Sequence, residues 1–130
     1  MKKFVLTAAV FAAALSAAAA FAADGVVNAD AVLANYAKFA QARQQLAALA
    51  QQKDTAIRAE KDAAKQQQLL AEAQQQLAQE EQRLIQPLFA NVRAAIEKVA
   101  KAKKLGMVHA AVTVMYGGVD ITQDVIAELK

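Results

Sequence analysis

The hydrophobic and polar positions divide the chain into a long helical middle and two ends of different character. From Ala29 to Lys104 there is no glycine and one proline, Pro87, and the residues are mostly Ala, Gln, Leu, Lys and Glu. Such side chains lose little freedom in a helix, so summed propensity predicts helix throughout. One unbroken helix of that length would reach roughly 110 Å, which predicts instead two helices folded back on each other. In the first helix, from Ala31, Val32, Tyr36, Phe39, Arg43, Leu46, Ala50, Lys53, Ile57 and Glu60 fall at alternating spacings of four and three. That is a coiled-coil seam with polar intruders. The returning helix carries Leu70, Ala73, Leu77, Leu84, Leu88, Val92, Ile96 and Val99 on one side.

No Gly, Pro or Asn marks the turn between them, so length places it, near residue 66. The arm is then roughly 50 Å long by helix rise. Two other arrangements fit the middle: an unbroken helix in an oligomeric coiled coil, and a disordered Gln-rich segment. The leucine periodicity and the strong helix formers disfavour disorder. Pro87 removes a backbone donor and crowds the Arg83 carbonyl, so a kink is expected there. Large apolar residues are densest at the ends of this stretch, which predicts a firmly packed inner end and a mobile outer one.

The flanks are written differently. Gly25-Val26-Val27-Asn28 reads as a short strand ending in a helix cap, supplied by Asn28 or Asp30. Leu105-Gly106 ends the long helix, with Gly106 expected at positive φ. Met107 to Tyr116 reads as a β-hairpin or two short strands, its turn near Ala110-Ala111. Gly117-Gly118 ends the strand. Asp120 or Thr122 then caps a short helix bearing Val125, Ile126 and Leu129, and Asp120 with Gln123 has capping-box spacing. The fold class is mainly α with a small β body (α+β). A long antiparallel helical hairpin stands on a short-stranded base that oligomerises.

Composition narrows the picture. Met1-Lys2-Lys3, an apolar run from Phe4 to Ala20 and small residues at Ala20 and Ala22 read as a signal peptide cleaved after Ala22. The expected product is one domain, residues 23–130, with a body of 23–40 and 87–130 and a helical arm of 41–86. Its expected location is outside the cytoplasm, in the periplasm. There is no cysteine, which excludes a lipid-anchored terminus and a disulfide framework. Without Lys2 and Lys3, the 15 basic residues fall to 13 against 12 acidic, close to neutral.

The apolar content is inflated by 35 alanines. Between Gln41 and Gln86 only Leu46, Leu49, Ile57, Leu69, Leu70, Leu77, Leu84 and Ile85 are large and apolar, a thin seam that favours oligomerisation. Residues 87–106 carry Arg93, Lys98, Lys101, Lys103 and Lys104 against Glu97 alone. That reads as a solvated basic helix face, with weak contact to an anionic membrane surface as the functional alternative.

No catalytic set, cofactor motif or metal-ligand cluster emerges. His109 is the only histidine, and no cysteine completes a site. Gly117-Gly118 lacks phosphate-loop spacing, and the near-neutral charge argues against nucleic acid. The protein is read as a non-enzyme.

The strand Val26-Val27-Asn28 running into Ala31-Val32-Leu33, the charged helical middle, Ile85-Gln86-Pro87-Leu88, and the closing stretch Met115-Tyr116-Gly117-Gly118-Val119-Asp120-Ile121-Thr122-Gln123-Asp124-Val125-Ile126 together resemble the Skp/OmpH family of periplasmic chaperones. The resemblance implies a homotrimer whose strands form a central body and whose helical arms surround a cavity. It implies ATP-independent holding of unfolded outer-membrane proteins, with no cofactor and no single client-binding motif. The alternative is a structural or adaptor coiled coil of the cell envelope.

Overall fold

The computed structural model describes residues 22–130. The leader expected over residues 1–22 therefore lies, apart from Ala22, outside the described residues. In chain order the elements are β1 (Gly25–Val27), α1 (Ala29–Ala34), α2 (Ala37–Ala59), α3 (Ala63–Ala102), β2 (Val108–Ala110), a 3-10 turn (Ala111–Thr113), β3 (Val119–Asp120) and α4 (Thr122–Glu128). The chain is mostly helical, with one three-stranded sheet ordered β2-β1-β3.

The sheet is parallel on both sides of β1, which corrects the expected hairpin over Met107 to Tyr116. Gly25, Val26 and Val27 pair with Val108, His109 and Ala110, and Gly25 and Val26 pair with Val119 and Asp120. β2 and β3 lie on opposite sides of β1, so the link between them must cross over and cannot be a tight turn. Ala110-Ala111 offers no turn chemistry. The chain instead enters the 3-10 turn, where the Thr113 hydroxyl donates to the Ala110 carbonyl at 2.7 Å. Val112 and Val114, inside that expected hairpin, find no strand partner among the described residues.

The helices pack on one another, and Val27 of β1 joins their core. The core gathers Val27, Val32, Tyr36, Ala42, Leu88, Val92, Ala95, Val99, Ile121, Val125 and Ile126. Four of these, Leu88, Val92, Ala95 and Val99, recur every three or four residues and form one stripe of α3. Val32, Ile121 and Val125 are completely buried, and each contributes about 1.5–3 kcal/mol by leaving water. Farther out, between residues 43 and 87, the one buried residue is Ala73. The firm packing expected at the inner end is thus present, and the outer seam is thin.

Caps explain where the helices begin and end. Asn28 caps α1, its Oδ1 accepting from the Ala31 N–H at 3.1 Å. The helix expected to continue from Ala31 breaks at Asn35-Tyr36. Tyr36 is extended (φ −95°, ψ 103°), with its side chain buried and its hydroxyl accepting from Asn91 Nδ2 at 3.2 Å. Burial of that ring outweighs the local helical propensity, and Asn35 before it is a weak helix former.

The far turn lies at Glu60–Asp62, not at residue 66. Asp62 Oδ1 accepts from the Ala64 and Lys65 N–H groups at 2.9 and 3.4 Å, and Glu60 Oε1 accepts from the Asp62 N–H at 3.0 Å. Placing the turn by midpoint fails because the outgoing arm is broken at Asn35-Tyr36 and α3, running on to Ala102, is far longer than α2. With 23 residues, α2 spans about 35 Å, shorter than the expected arm. α3 is one continuous helix through Pro87, so the expected kink does not divide it into two elements.

α3 closes in a Schellman motif: Leu105 N–H donates to the Ala100 carbonyl (2.9 Å) and Lys104 N–H to that of Lys101 (3.2 Å). The residue at positive φ is Lys104 (56°), not Gly106. A lysine pays a steric penalty there that glycine does not. Lys104→Gly is expected to raise stability by about 0.5–1 kcal/mol, measured as a higher midpoint in urea unfolding.

Candidate functional site

Three surfaces are candidates, and each follows from where the sequence places small, apolar or charged side chains. The first is a groove between α2 and α3. Phe39, Arg43, Leu46, Ala47 and Ala50 face it from α2, and Leu77, Glu81, Ile85 and Phe89 from α3. Residues early in α2 meet residues late in α3: the Phe39 and Phe89 rings lie 6.2 Å apart at 53°, and at the far end Gln66 Nε2 donates to the Ile57 carbonyl at 3.1 Å. Alanines at 47 and 50 leave the slot open, with a volume of about 510 Å³. Arg43 lies 5.9 Å from the centre of the Phe39 ring, a contact worth about 0.5–1 kcal/mol at an exposed site.

The second surface is the crossover between β2 and β3. Met115 and Tyr116 are 103 % and 98 % exposed, and Val112 and Met107 are largely exposed too. Two glycines at positive φ, Gly117 (87°) and Gly118 (91°), return the chain to β3. At Gly118 a Cβ would collide with Val26 Cγ2, so the close approach requires glycine. The crossover borders a cleft with Asp24, Val26 and His109. His109 Nε2 is 3.3 Å from Asp24 Oδ2, and both side chains are partly exposed.

The third surface is the basic part of α3. α4 lies against it and supplies carboxylates: Lys98 pairs with Glu128, and Lys103 with Asp124 at 3.4 Å. Arg93 reaches Glu97 at 3.8 Å on its own helix. Three of the five cations noted in the sequence thus have acidic neighbours, which favours the solvated-face reading. Near the far turn, Arg58 meets Asp54 at 3.0 Å on α2, while Asp62 serves as the α3 cap.

A polar junction ties the sheet to the helices. Asp120 Oδ1 accepts from the Thr122 hydroxyl (2.6 Å) and N–H (3.0 Å), and the Thr122 hydroxyl oxygen accepts from the Asn28 N–H at 3.0 Å. Sequence spacing suggested a capping box between Asp120 and Gln123; instead Asp120 holds Thr122 and the N-cap position belongs to Ile121. The Thr122 hydroxyl, then its N–H, hold the Asp120 carboxyl below the usual carboxylate range. A depressed folded pKa gives stability that is complete above the unfolded value and is lost as pH falls through the folded one. Asp120→Asn is expected to lower stability at neutral pH, and the gap from the parent should close in acid, below about pH 4. Unfolding free energies measured across that range check it.

Among the described residues no group of three or more His, Cys, Asp or Glu is placed to hold a metal ion, and no described helix is long and apolar enough to cross a membrane. Sequence periodicity identified Phe39, Leu46 and Leu77 as seam residues but not the groove they border. That groove depends on alanines at 47 and 50, which the apolar pattern does not distinguish from helix filler. A comparison with curated proteins finds no match. The family model described as "Outer membrane protein (OmpH-like)" matches residues 59–129, from the last residue of α2 through α3, β2, β3 and α4, and leaves β1, α1 and the rest of α2 outside it. That match spans more than half of the sequence and includes the closing Tyr116-to-Ile126 stretch that carried the resemblance, so this chain belongs to the OmpH-like family.

Proposed function

We propose that the protein is a periplasmic, ATP-independent holdase that binds unfolded outer-membrane proteins and keeps them from aggregating. The helices α2 and α3 form an antiparallel hairpin, an arm projecting from a base made by the sheet, α1 and α4. Three copies join through the base, and their arms surround the client. The observation that carries this reading is the uneven burial of the paired helices. Their inner end shares the core, whereas residues 43–87 bury only Ala73 and leave an open apolar groove. A surface of alanine and scattered leucine offers shallow contacts that suit many clients. The mixed charges of this segment keep it soluble, since residues 41–86 hold six cations and six anions. Membership of the OmpH-like family supports the same reading.

Light scattering tests it. A β-barrel membrane protein diluted from denaturant aggregates, and stoichiometric amounts of this protein are expected to suppress the signal without nucleotide. No suppression at any ratio, together with tight binding to one folded envelope protein, would establish the adaptor reading instead.

A further inference from the structure

The groove between α2 and α3 has a length, a lining and a charge arrangement that together specify an occupant. From Phe39 to Ala50 it runs for eleven residue steps along α2, about 17 Å of helix rise. An extended chain rises about 3.4 Å per residue, so the groove matches about five residues of strand. Alternate side chains of such a strand point to the same side, which brings apolar residues at every second position onto one floor. That floor is Leu46, Leu77 and Ile85, closed at one end by Phe39 and Phe89.

The rim carries one charge from each helix, Arg43 from α2 and Glu81 from α3, and neither belongs to an ion pair among the described residues. A guanidinium donates and a carboxylate accepts. An extended polypeptide offers what both need, a free carbonyl and a free N–H on its edge. A helix from a second copy has spent those backbone groups on itself, and a lipid chain has none. Opposite charges on the two walls also disfavour a simple anion or cation.

We propose that this groove seats an extended stretch of an unfolded polypeptide with aromatic or branched apolar residues at alternate positions, and that Arg43 and Glu81 hold its backbone. The inference rests on the holdase reading and names the segment that reading leaves open. Backbone contacts do not depend on sequence, while the apolar floor selects the alternating pattern of a barrel strand.

The test uses the full mature protein and a fluorescent peptide alternating phenylalanine with serine. A control peptide of the same composition has its phenylalanines contiguous. Fluorescence anisotropy should show tighter binding of the alternating peptide. Ala47→Trp, which fills the slot from an exposed helix position, should weaken that binding by about tenfold or more, a loss of at least about 1.4 kcal/mol. Arg43→Gln with Glu81→Gln should weaken binding of both peptides. Ala50→Gln is the second filling variant, and circular dichroism and solution mass must match the parent for either to count.

Equal affinity in the parent and the filled variants overturns the inference, as does failure of the parent to bind the alternating peptide. If the parent still suppresses barrel aggregation in those cases, the holdase reading survives without the groove. A parent that binds the peptide in the groove yet suppresses no aggregation supports the groove and defeats the holdase reading.

Discussion

Ile121→Ala is expected to cost about 2–5 kcal/mol, the range for removing a large aliphatic side chain from a closed core. Ile121 has no exposed surface and lies in the cluster with Val32 and Val125. Its N–H also donates to the Val26 carbonyl at 2.9 Å, at the point where β3 passes into α4. The core here is small, and total stability of an ordinary domain is only about 5–15 kcal/mol. A loss of this size should lower the thermal midpoint by about 10 °C or more. Leu70→Ala is the contrast. Leu70 is 47 % exposed on the outer part of α3, and its removal should change stability by less than about 0.5 kcal/mol. Thermal unfolding followed by circular dichroism separates the two, and equal effects would contradict the placement of the core.

The second large effect is on assembly. Replacing Met115 and Tyr116 together with aspartate should dissociate the proposed trimer while leaving the fold of each copy in place. Both side chains are fully exposed, so the single chain has little to lose. They are the most exposed large apolar side chains of the base through which the proposed trimer joins, so that reading assigns them to its interface, where an unpaired buried carboxylate is costly. Light scattering coupled to size exclusion should report a fall from about three chain masses to one. An unchanged mass would place the contact between copies elsewhere.

What the sequence made legible follows the strength of each local signal. Val26-Val27 followed by Asn28 combined strand propensity with a cap, and both formed as read. From the dense apolar stretch between Leu88 and Val99, Leu88, Val92 and Val99 became core, where helical periodicity and burial agreed, while Ile96 is partly buried and Phe89 half exposed. The far turn was misplaced since it depends on one cap, Asp62, in a segment otherwise made of strong helix formers. Asn35-Tyr36 was missed because a buried ring, not local propensity, opens the backbone there. Lys104 takes the left-handed position that Gly106 was expected to hold, since the Schellman hydrogen bonds fix the end of α3 two residues earlier.

The crossover was the hardest segment. Val112, Val114 and Tyr116 carry strand propensity, yet β1 already has a neighbour on each side, and among the described residues these three pair with no strand edge. Propensity records what a segment can form, and the partner decides whether it does. Of the candidate surfaces, the exposed crossover rests on residues the sequence had singled out as part of the base. The groove depends on two alanines whose meaning appears only when Leu77 and Ile85 are set opposite them.

The most direct measurement is the solution mass of the mature protein, alone and with a β-barrel membrane protein diluted from denaturant. The account predicts about three chain masses alone, and a discrete soluble complex of one client within one trimer. A stable single chain that leaves the client to aggregate would contradict it.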